Sequence, residues 1–180
     1  MTEPILRPYR DADLPILVDV NDGAYPAVPI TSAAELADLI AMSTVRVVVE
    51  ADGVPVGFVL GMPPGLDYAS ENYVYFSERA REQGRDVVYV DRIVLAPALR
   101  SRGLGPQLYA AVFDEARRVG APEVLCEVNV EPPNPGSLAF HTRLGFVEVG
   151  RQETHGGENI VALLAAPVVD PPEPRRPPAE

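Results

Sequence analysis

A short segment between two apolar-patterned stretches, Leu95–Pro106, combines glycines with arginines in the order LAPALRSRGLGP. The residues before it are typical of a buried strand, and those after it have the spacing of an amphipathic helix. At such a turn the helix dipole and successive backbone N–H groups face an anion, and glycine lets a phosphate approach the backbone. Arg100 and Arg102 can add charge-assisted contacts. The segment predicts a diphosphate site around Gly103 and Gly105, with an ordinary strand-to-helix turn as the alternative.

Residue types exclude two other phosphate-binding motifs. All 15 basic residues are arginine, so the lysine of a Walker A loop is absent, as is any catalytic or Schiff-base lysine. A dinucleotide-binding fingerprint would need a third glycine where Leu108 stands. The predicted diphosphate therefore belongs to another kind of ligand.

Two motifs together resemble the GNAT superfamily of N-acetyltransferases. Residues 100–105 read Arg-x-x-Gly-x-Gly, similar to the family's Arg/Gln-x-x-Gly-x-Gly/Ala loop. Residues 134–146 read Asn-x-x-Ser-x-x-Phe-His-x-x-x-Gly-Phe, similar to the family's Asn-x-x-Ala/Ser-x-x-Leu-Tyr-x-x-x-Gly-Phe segment. The resemblance extends over residues 3–165. It implies acetyl-CoA as the cofactor and transfer of an acetyl group to a primary amine by direct attack in a ternary complex.

The resemblance also implies where the cofactor lies. The loop amides would hold the coenzyme A diphosphate, a main-chain amide at Ile93 would face the thioester carbonyl, and Asn134 would contact the pantetheine arm or start a helix. The residues expected to contact the cofactor are Ile93, Val94, Leu95, Arg100, Ser101, Arg102, Gly103, Leu104, Gly105, Asn134, Ser137 and Phe140.

Three side chains are candidates for proton transfer. His141 stands where the family has its usual acid, a tyrosine, and it either protonates the departing thiolate or only packs and hydrogen-bonds. Asp91 and Glu127 are candidates for the general base or for an anchor of the substrate ammonium, or either one pairs with Arg92 as a structural group. Strand alternation places Asp91 on the face shared with Tyr89 and Ile93.

The acceptor is expected to be a small cationic amine. A formal net charge of −11 disfavours nucleic acid and anionic membranes as partners. Aromatic residues between Tyr68 and Phe76, with Tyr73 and Phe76 as named candidates, form either a substrate wall or a packed surface excursion. The alternative functions are a non-catalytic acyl-CoA-binding sensor and an acetyltransferase of protein N-termini or lysines. A homodimer is possible.

The cysteine and histidine content limits which metal sites and disulfides the chain can form. Cys126 is the only cysteine, so a disulfide within the chain and a cysteine-rich zinc site are excluded. His141 and His155 are too isolated to indicate a metal site. With no apolar leader or membrane-spanning stretch in the sequence, we expect a cytoplasmic protein.

The elements that must position these residues follow from periodicity. They form one α/β (α+β) domain, residues 1–166, with a mixed, mainly antiparallel sheet of about seven strands, flanking helices and a cofactor cleft where strands splay apart after Leu95 and Val130. Residues 167–180 form a proline-rich tail that is expected to be disordered. The predicted strands are Ile5–Tyr9, Val45–Ala51, Val54–Leu60, Val87–Leu95, Val124–Val130, Phe146–Gln152 and Asn159–Leu164. The predicted helices are Asp11–Val20, one beginning at Thr31 or Ser32, Leu104–Val119 and Ser137–Leu144, and residues 63–86 are expected to be a loop leading into a short helix.

Overall fold

The structure is a computed structural model that describes residues 3–169, with the backbone alone at residue 155. The seven strands are β1 (Ile5–Pro8), β2 (Val45–Ala51), β3 (Val54–Met62), β4 (Val87–Leu95), β5 (Glu123–Glu131), β6 (Val147–Thr154) and β7 (Asn159–Pro167). The five α-helices are α1 (Leu14–Asp22), α2 (Ala33–Met42), α3 (Glu71–Gln83), α4 (Leu104–Val119) and α5 (Pro135–Arg143).

All strands join one sheet in the order β1-β2-β3-β4-β5-β7-β6. Neighbours are antiparallel except β4 and β5, which run parallel because α4 crosses between them. This mixed, mainly antiparallel seven-stranded sheet confirms the predicted fold class. β4 is the middle strand, and β1 lies at an edge, where the missing N–H of Pro8 is tolerated.

The sheet opens between β4 and β5. Their parallel pairing runs from Val87 opposite Glu123 to Tyr89 opposite Leu125 and then stops. Beyond that point β4 pairs only with β3, and β5 pairs with β7. The predicted splay is present, but its predicted start after Leu95 and Val130 was wrong, because the strands part several residues earlier.

A β-bulge in β4 accompanies this divergence. Leu60 of β3 lies opposite Arg92 and Gly61 lies opposite Val90, so Asp91 is the extra residue. A bulge bends and twists its strand and shifts the alternation of side chains by one position. Ile93 consequently packs on the face opposite to Tyr89, so the prediction that Asp91, Tyr89 and Ile93 share one face was wrong for Ile93.

Two apolar clusters cover the two faces of the sheet. One lies under α1, α2 and α3 and contains Leu36, Phe76 and Tyr89. The other lies under α4, whose Leu108, Val112 and Ala116 are fully buried, as the helical spacing predicts. Each cluster includes residues of both β4 and β5, so the two strands are packed on both faces of the sheet beside the opening.

Local sequence signals account for most helix boundaries. At the start of α2, Ser32 and Glu35 form the predicted capping box, in which each side chain accepts a hydrogen bond from the other residue's backbone. At the end of α4, Gly120 has a left-handed backbone (φ +72°), as the predicted helix stop requires. In α5 the cap is Asn134, whose Oδ1 accepts from the Ser137 N–H at 3.2 Å, so the helix begins before Ser137, its predicted first residue.

The segment before β4 differs from its prediction. Residues 71–83 form α3, a 13-residue helix that already contains the aromatic residues predicted to lie in a loop. Tyr73, Phe76 and Ala80 recur at helical spacing and are all buried, and Ser70 caps the first turn by accepting from the Tyr73 N–H. The aromatic content therefore marks a buried helix face.

The chain remains ordered slightly past the predicted domain end at residue 166. β7 extends to Pro167, and the Val168 N–H donates to the Pro122 carbonyl at 2.8 Å. The rest of the predicted tail, residues 170–180, lies outside the described residues. Within residues 3–169 there is no helix with the length and apolar character needed to cross a membrane.

Candidate active site

The predicted diphosphate loop is an exposed turn at the start of α4. After β4 the chain makes a short 3-10 turn, Pro97–Leu99, and residues 100–103 are exposed. Gly103 immediately precedes α4 and has a left-handed backbone (φ +77°). No side chain caps the first turn of this helix. The first N–H groups of α4 consequently keep their donor capacity for a ligand, except at Pro106, which has none. These features fit an anion such as a diphosphate.

Gly105 has a specific steric role in this loop. A Cβ atom added at Gly105 would lie 2.8 Å from Cζ of Phe140 on α5. Helix α5 therefore rests directly against the loop, and only glycine allows that approach. Within the loop the Arg100 Nε donates to the Leu95 carbonyl at 3.2 Å, and both Arg100 and Arg102 are exposed.

Backbone donors of β4 face the opening in the sheet. The Ala96 N–H donates to the Val56 carbonyl of β3 at 2.8 Å. In an antiparallel ladder alternate residues bond to the same neighbour, so the N–H groups of Ile93 and Leu95 point away from β3, into the gap left by β5. The predicted position of Ile93 is thus supported by the geometry of its backbone.

Charged side chains gather on one face of β4 beside this gap. Because of the bulge, Asp91 and Arg92 turn to the same face and form an ion pair, with Arg92 Nη1 at 3.1 Å from Asp91 Oδ2. Tyr68 donates its hydroxyl to Asp91 Oδ1 at 2.8 Å. The Asp91 side chain is only 2% exposed, so this carboxylate is enclosed by its partners.

Glu127 faces the same cluster from β5. Tyr89 donates its hydroxyl to Glu127 Oε1 at 3.0 Å. Oε2 of Glu127 is shielded from solvent and, among the described residues, makes no hydrogen bond of good geometry, although the Asn72 amide of α3 also faces the carboxylate. A buried carboxylate oxygen without a donor is costly, unless a ligand such as a substrate ammonium supplies one.

The electrostatic environment tunes Glu127 to neutral pH. Burial, followed by the negative charge of Asp91, raises its pKa to about 7, and the Tyr89 hydroxyl and the Arg92 charge counteract part of that rise. A carboxylate with such a pKa is half ionised near pH 7. It can therefore accept a proton at neutral pH and release it again.

A cavity of about 330 Å³ adjoins this cluster. Its walls come from residues 29–31, from α2, and from Tyr68 and Arg92. Two acidic side chains of α2, Glu35 and Asp38, lie among the lining residues. The cavity is on the face of the sheet covered by α1 and α2, opposite the face under α4.

His141 is enclosed by aromatic rings and is 3% exposed. Its Nδ1 lies 2.8 Å from the Ser137 carbonyl, which can only accept, so Nδ1 carries the proton of the neutral ring. Its Nε2 lies 2.7 Å from the Tyr109 hydroxyl, which then donates to it. Burial lowers the pKa of His141, so the ring is neutral at pH 7. In this arrangement His141 has no free N–H for a departing thiolate, which favours the alternative that it packs and hydrogen-bonds.

The aromatic candidates of α3 also lie in the interior. Tyr73 and Phe76 are each 1% exposed and pack against Tyr89, with ring centroids 5.5 and 5.8 Å apart. They belong to the core, so they form neither a cleft wall nor the packed surface excursion that was the predicted alternative. The cavity is instead lined by Tyr68, which the sequence marked only as the start of an aromatic run.

Tyr89 is the other functional candidate that sequence reasoning missed. It appeared only as a core residue of a central strand. The available signal was a hydroxyl-bearing residue in an otherwise aliphatic strand, two residues before a charge. Of the predicted site residues, the structure brings Asp91, Glu127 and Ile93 together at the opening and places the loop of residues 100–105 at the end of β4.

Comparison with known proteins agrees with this fold. The family model described as the acetyltransferase (GNAT) family matches residues 16–146. The chain therefore belongs to the GNAT acetyltransferase family, which confirms the family predicted from the two motifs. The predicted enzyme class, an N-acetyltransferase, and the predicted cofactor, acetyl-CoA, agree with this family.

An uncharacterised N-acetyltransferase of Methanocaldococcus jannaschii is 33% identical to the chain over 99 residues. The match covers 55% of this chain and 41% of the relative, so the chain spans about two fifths of that relative's length.

Solved structures share the fold at low sequence identity. The ribosomal-protein-S18-alanine N-acetyltransferase of Escherichia coli is 17% identical, with a TM-score of 0.68 over 95% of this chain and 97% of its own. Ard1 of Thermoplasma volcanium is 16% identical, with a TM-score of 0.71 over 93% of this chain and 99% of its own. The protein yncA of Salmonella typhimurium, whose structure includes its cofactor acetyl-CoA, is 18% identical, with a TM-score of 0.64 over 96% and 98%. At these identities the likeness shows the fold alone.

Proposed function

We propose that this protein is an acetyl-CoA-dependent N-acetyltransferase that acetylates a primary amine of a small molecule. The observation that carries the proposal is Glu127, a buried carboxylate with a pKa of about 7 and a free Oε2, placed where β4 and β5 part. That is the chemistry a general base needs in order to deprotonate an ammonium at neutral pH.

The residues that would hold acetyl-CoA are those of the loop and of the β4 edge. The N–H groups at the start of α4 suit its diphosphate, and the Ile93 N–H suits the oxygen of its acyl carbonyl. Asn134 caps α5 with its Oδ1, which leaves its amide N–H groups for the pantetheine arm. When bound, acetyl-CoA supplies an acetyl group activated as a thioester.

Proton transfer is assigned to Glu127, with Asp91 as an electrostatic partner. Glu127 Oε2 accepts a proton from the acceptor ammonium, and the neutral amine is then the nucleophile. Asp91 Oδ2 also makes no hydrogen bond, but it lies 3.1 Å from Arg92 Nη1, so its charge is balanced by the guanidinium and we assign it an electrostatic role. A thiol has a reference pKa of about 8.5, so thiolate departure near neutral pH does not require His141 as an acid.

The acceptor class follows from the cavity and its charge. A volume of about 330 Å³ suits a small molecule. Glu35 and Asp38 add negative charge at its wall, and the formal net charge is −11, so a cationic amine is attracted.

The test is acetyl-CoA turnover by Glu127→Gln across a panel of small amines, measured as free thiol. Loss of a general base lowers kcat by about 100-fold or more. Calorimetry should show unchanged acetyl-CoA affinity, because Glu127 does not contact the loop. Glu123→Gln, at the paired end of the same strand, is the matched control. Full activity of Glu127→Gln would refute the assignment. The only thiol, Cys126, is buried, so the protein adds little background to a thiol reagent.

A second candidate acceptor is a peptide N-terminus. Tyr25 and Ile30, between α1 and α2, are 64% and 65% exposed, and such apolar side chains suit contacts with a peptide. Ile30 also lines the cavity. Turnover with short peptides but not with free amines, lost in a Tyr25→Ser/Ile30→Ser variant, would favour this acceptor over a small molecule.

Three remaining predictions accompany the proposal. A non-catalytic sensor would bind acetyl-CoA without releasing thiol for any amine or peptide in the panel. Residence in the cytoplasm is checked by cell fractionation, and a homodimer by light scattering of the purified protein.

A further inference from the structure

We propose that Tyr89 is a positioning residue for acetyl transfer: its hydroxyl holds one oxygen of the Glu127 carboxylate so that the other oxygen stays turned toward the acceptor amine. This inference rests on the proposed role of Glu127 as the base and assigns a partner to it.

The position of Tyr89 at the opening of the sheet is the first argument. Tyr89 opposite Leu125 is the last pair of the parallel ladder, and Glu127 is the next residue of β5 on the same face. Beyond this pair the strands no longer bond to each other. The Tyr89 hydroxyl reaches diagonally to Glu127 Oε1 at 3.0 Å and thus links the strands where the backbone no longer does.

The rigidity of Tyr89 is the second argument. Its side chain is 1% exposed, and its ring packs edge-on against Tyr73 and at a tilt against Phe76. A phenol fixed in this way offers its hydroxyl in one direction. The carboxylate that accepts from it loses rotational freedom, and Oε2 makes no hydrogen bond of good geometry among the described residues. Positioning of this kind keeps a reactive group in place before substrate binds.

The charged and polar groups facing Glu127 define what a pH profile would report. From β4 they are Tyr89, Asp91 and Arg92, and from α3 the amide of Asn72 faces the carboxylate. Tyr68, before α3, and Tyr109, on α4, also interact with its charge. Asp91 raises the pKa of Glu127, and Tyr89, Arg92 and Asn72 lower it. Tyr89 is the neutral member with a well-formed hydrogen bond, so its hydroxyl can be removed without changing the net charge of the cluster.

The test compares the pH dependence of kcat/KM for Tyr89→Phe with that of the unmodified protein. A hydrogen bond to a charged group favours the ionised form, so its loss should move the acid limb about one pH unit higher. The rate would then be about tenfold lower near pH 6 and nearly unchanged near pH 9. Tyr73→Phe is the matched control, because Tyr73 is equally buried in the same aromatic cluster but donates to the Pro63 carbonyl.

A second substitution covers the case in which Tyr89→Phe folds poorly. A fluorinated tyrosine at position 89 keeps the ring and the hydroxyl but is a stronger donor, so it should move the acid limb to lower pH. Opposite shifts in the two variants support the inference. An unchanged profile in either folded variant, or an equal shift in Tyr73→Phe, overturns it.

The activity of Glu127→Gln and the pH profiles of the Tyr89 variants distinguish a wrong role for Tyr89 from a wrong role for Glu127. If Glu127→Gln remains fully active, Glu127 is not the base and the proposed function fails at that step. If Glu127→Gln is inactive while the Tyr89 and Tyr73 variants have the same pH profile, only the role of Tyr89 is refuted.

Discussion

Replacing Glu127 with glutamine should make the protein more stable at alkaline pH while making it inactive. Burial raises the pKa of Glu127 from 4.5 to about 7, so the folded state holds this carboxylate's proton more tightly than the unfolded chain does. Between these two pKa values the folded state binds more protons, and the free energy of unfolding must fall as pH rises. Above pH 7 the folded protein carries the full cost of an ionised buried carboxylate.

The magnitude follows from the difference between the two pKa values. Each tenfold change in an ionisation constant corresponds to about 1.4 kcal/mol, so the cost at pH 8 is about 3 kcal/mol. The substituted glutamine side chain would be neutral at every pH and nearly the same shape, and its amide oxygen can still accept from the Tyr89 hydroxyl. Relative to the unmodified protein, Glu127→Gln should gain about 3 kcal/mol at pH 8 and almost nothing near pH 4.5.

Urea unfolding of both proteins at several pH values measures this difference directly. Ionisable groups that are present in both proteins contribute equally to the two free energies of unfolding, so their contributions cancel in the difference. Glu131→Gln, which removes an exposed carboxylate at the end of the same strand, is the control and should show no comparable dependence on pH. A Glu127→Gln difference that stays constant between pH 4.5 and pH 8 would refute the argument that burial of Glu127 is costly.

Two further substitutions test the loop and His141. Gly105→Ala should weaken acetyl-CoA binding measured by calorimetry and lower stability by about 1 to 3 kcal/mol, because the new Cβ would lie 2.8 Å from the Phe140 ring. Gly136→Ala, with no atom within 4 Å of its Cβ, should leave both unchanged, and equal effects at the two sites would contradict this reasoning. His141→Gln should retain thiol release within about threefold and lose about 1 to 3 kcal/mol in urea unfolding, because glutamine lacks the ring that bridges the Tyr109 hydroxyl and the Ser137 carbonyl while packing against Phe146. A hundredfold loss of kcat in folded His141→Gln would restore His141 as the acid.

Elements with strong local patterns were predictable from the sequence. The bounds of β2, β4 and α4 agree with their predictions, because period-2 or period-3.6 alternation and flanking glycines mark them. The loop of residues 100–105 was predictable because its ligand would be bound by backbone groups, whose availability depends on local geometry. The bounds of α3 were missed because its aromatic residues were interpreted as a substrate wall or a packed surface excursion, and neither alternative used their helical spacing.

Features that depend on contacts between distant strands were not predictable in this way. The bulge at Asp91 requires the register of β3 against β4, and without it Ile93 falls on the wrong face. His141 occupied its expected place in the motif, but its buried contact with Tyr109, 32 residues away, decides what it can donate. Tyr89 gained a role only when β5 was placed beside β4.

The separation of β4 from β5 explains why the two halves of the candidate site occur together. A parallel ladder continued past Leu125 would pair the Ile93 N–H with β5 and remove the donor needed for an acyl oxygen. The same ladder would also place backbone of β4 beside Glu127, whose Oε2 is buried and makes no hydrogen bond among the described residues. Since both the free amide and the free carboxylate oxygen arise from one break in the sheet, neither requires a dedicated residue elsewhere. A substitution that closes the gap should therefore impair cofactor binding and proton transfer together, whereas changes at Glu127 alone should separate them.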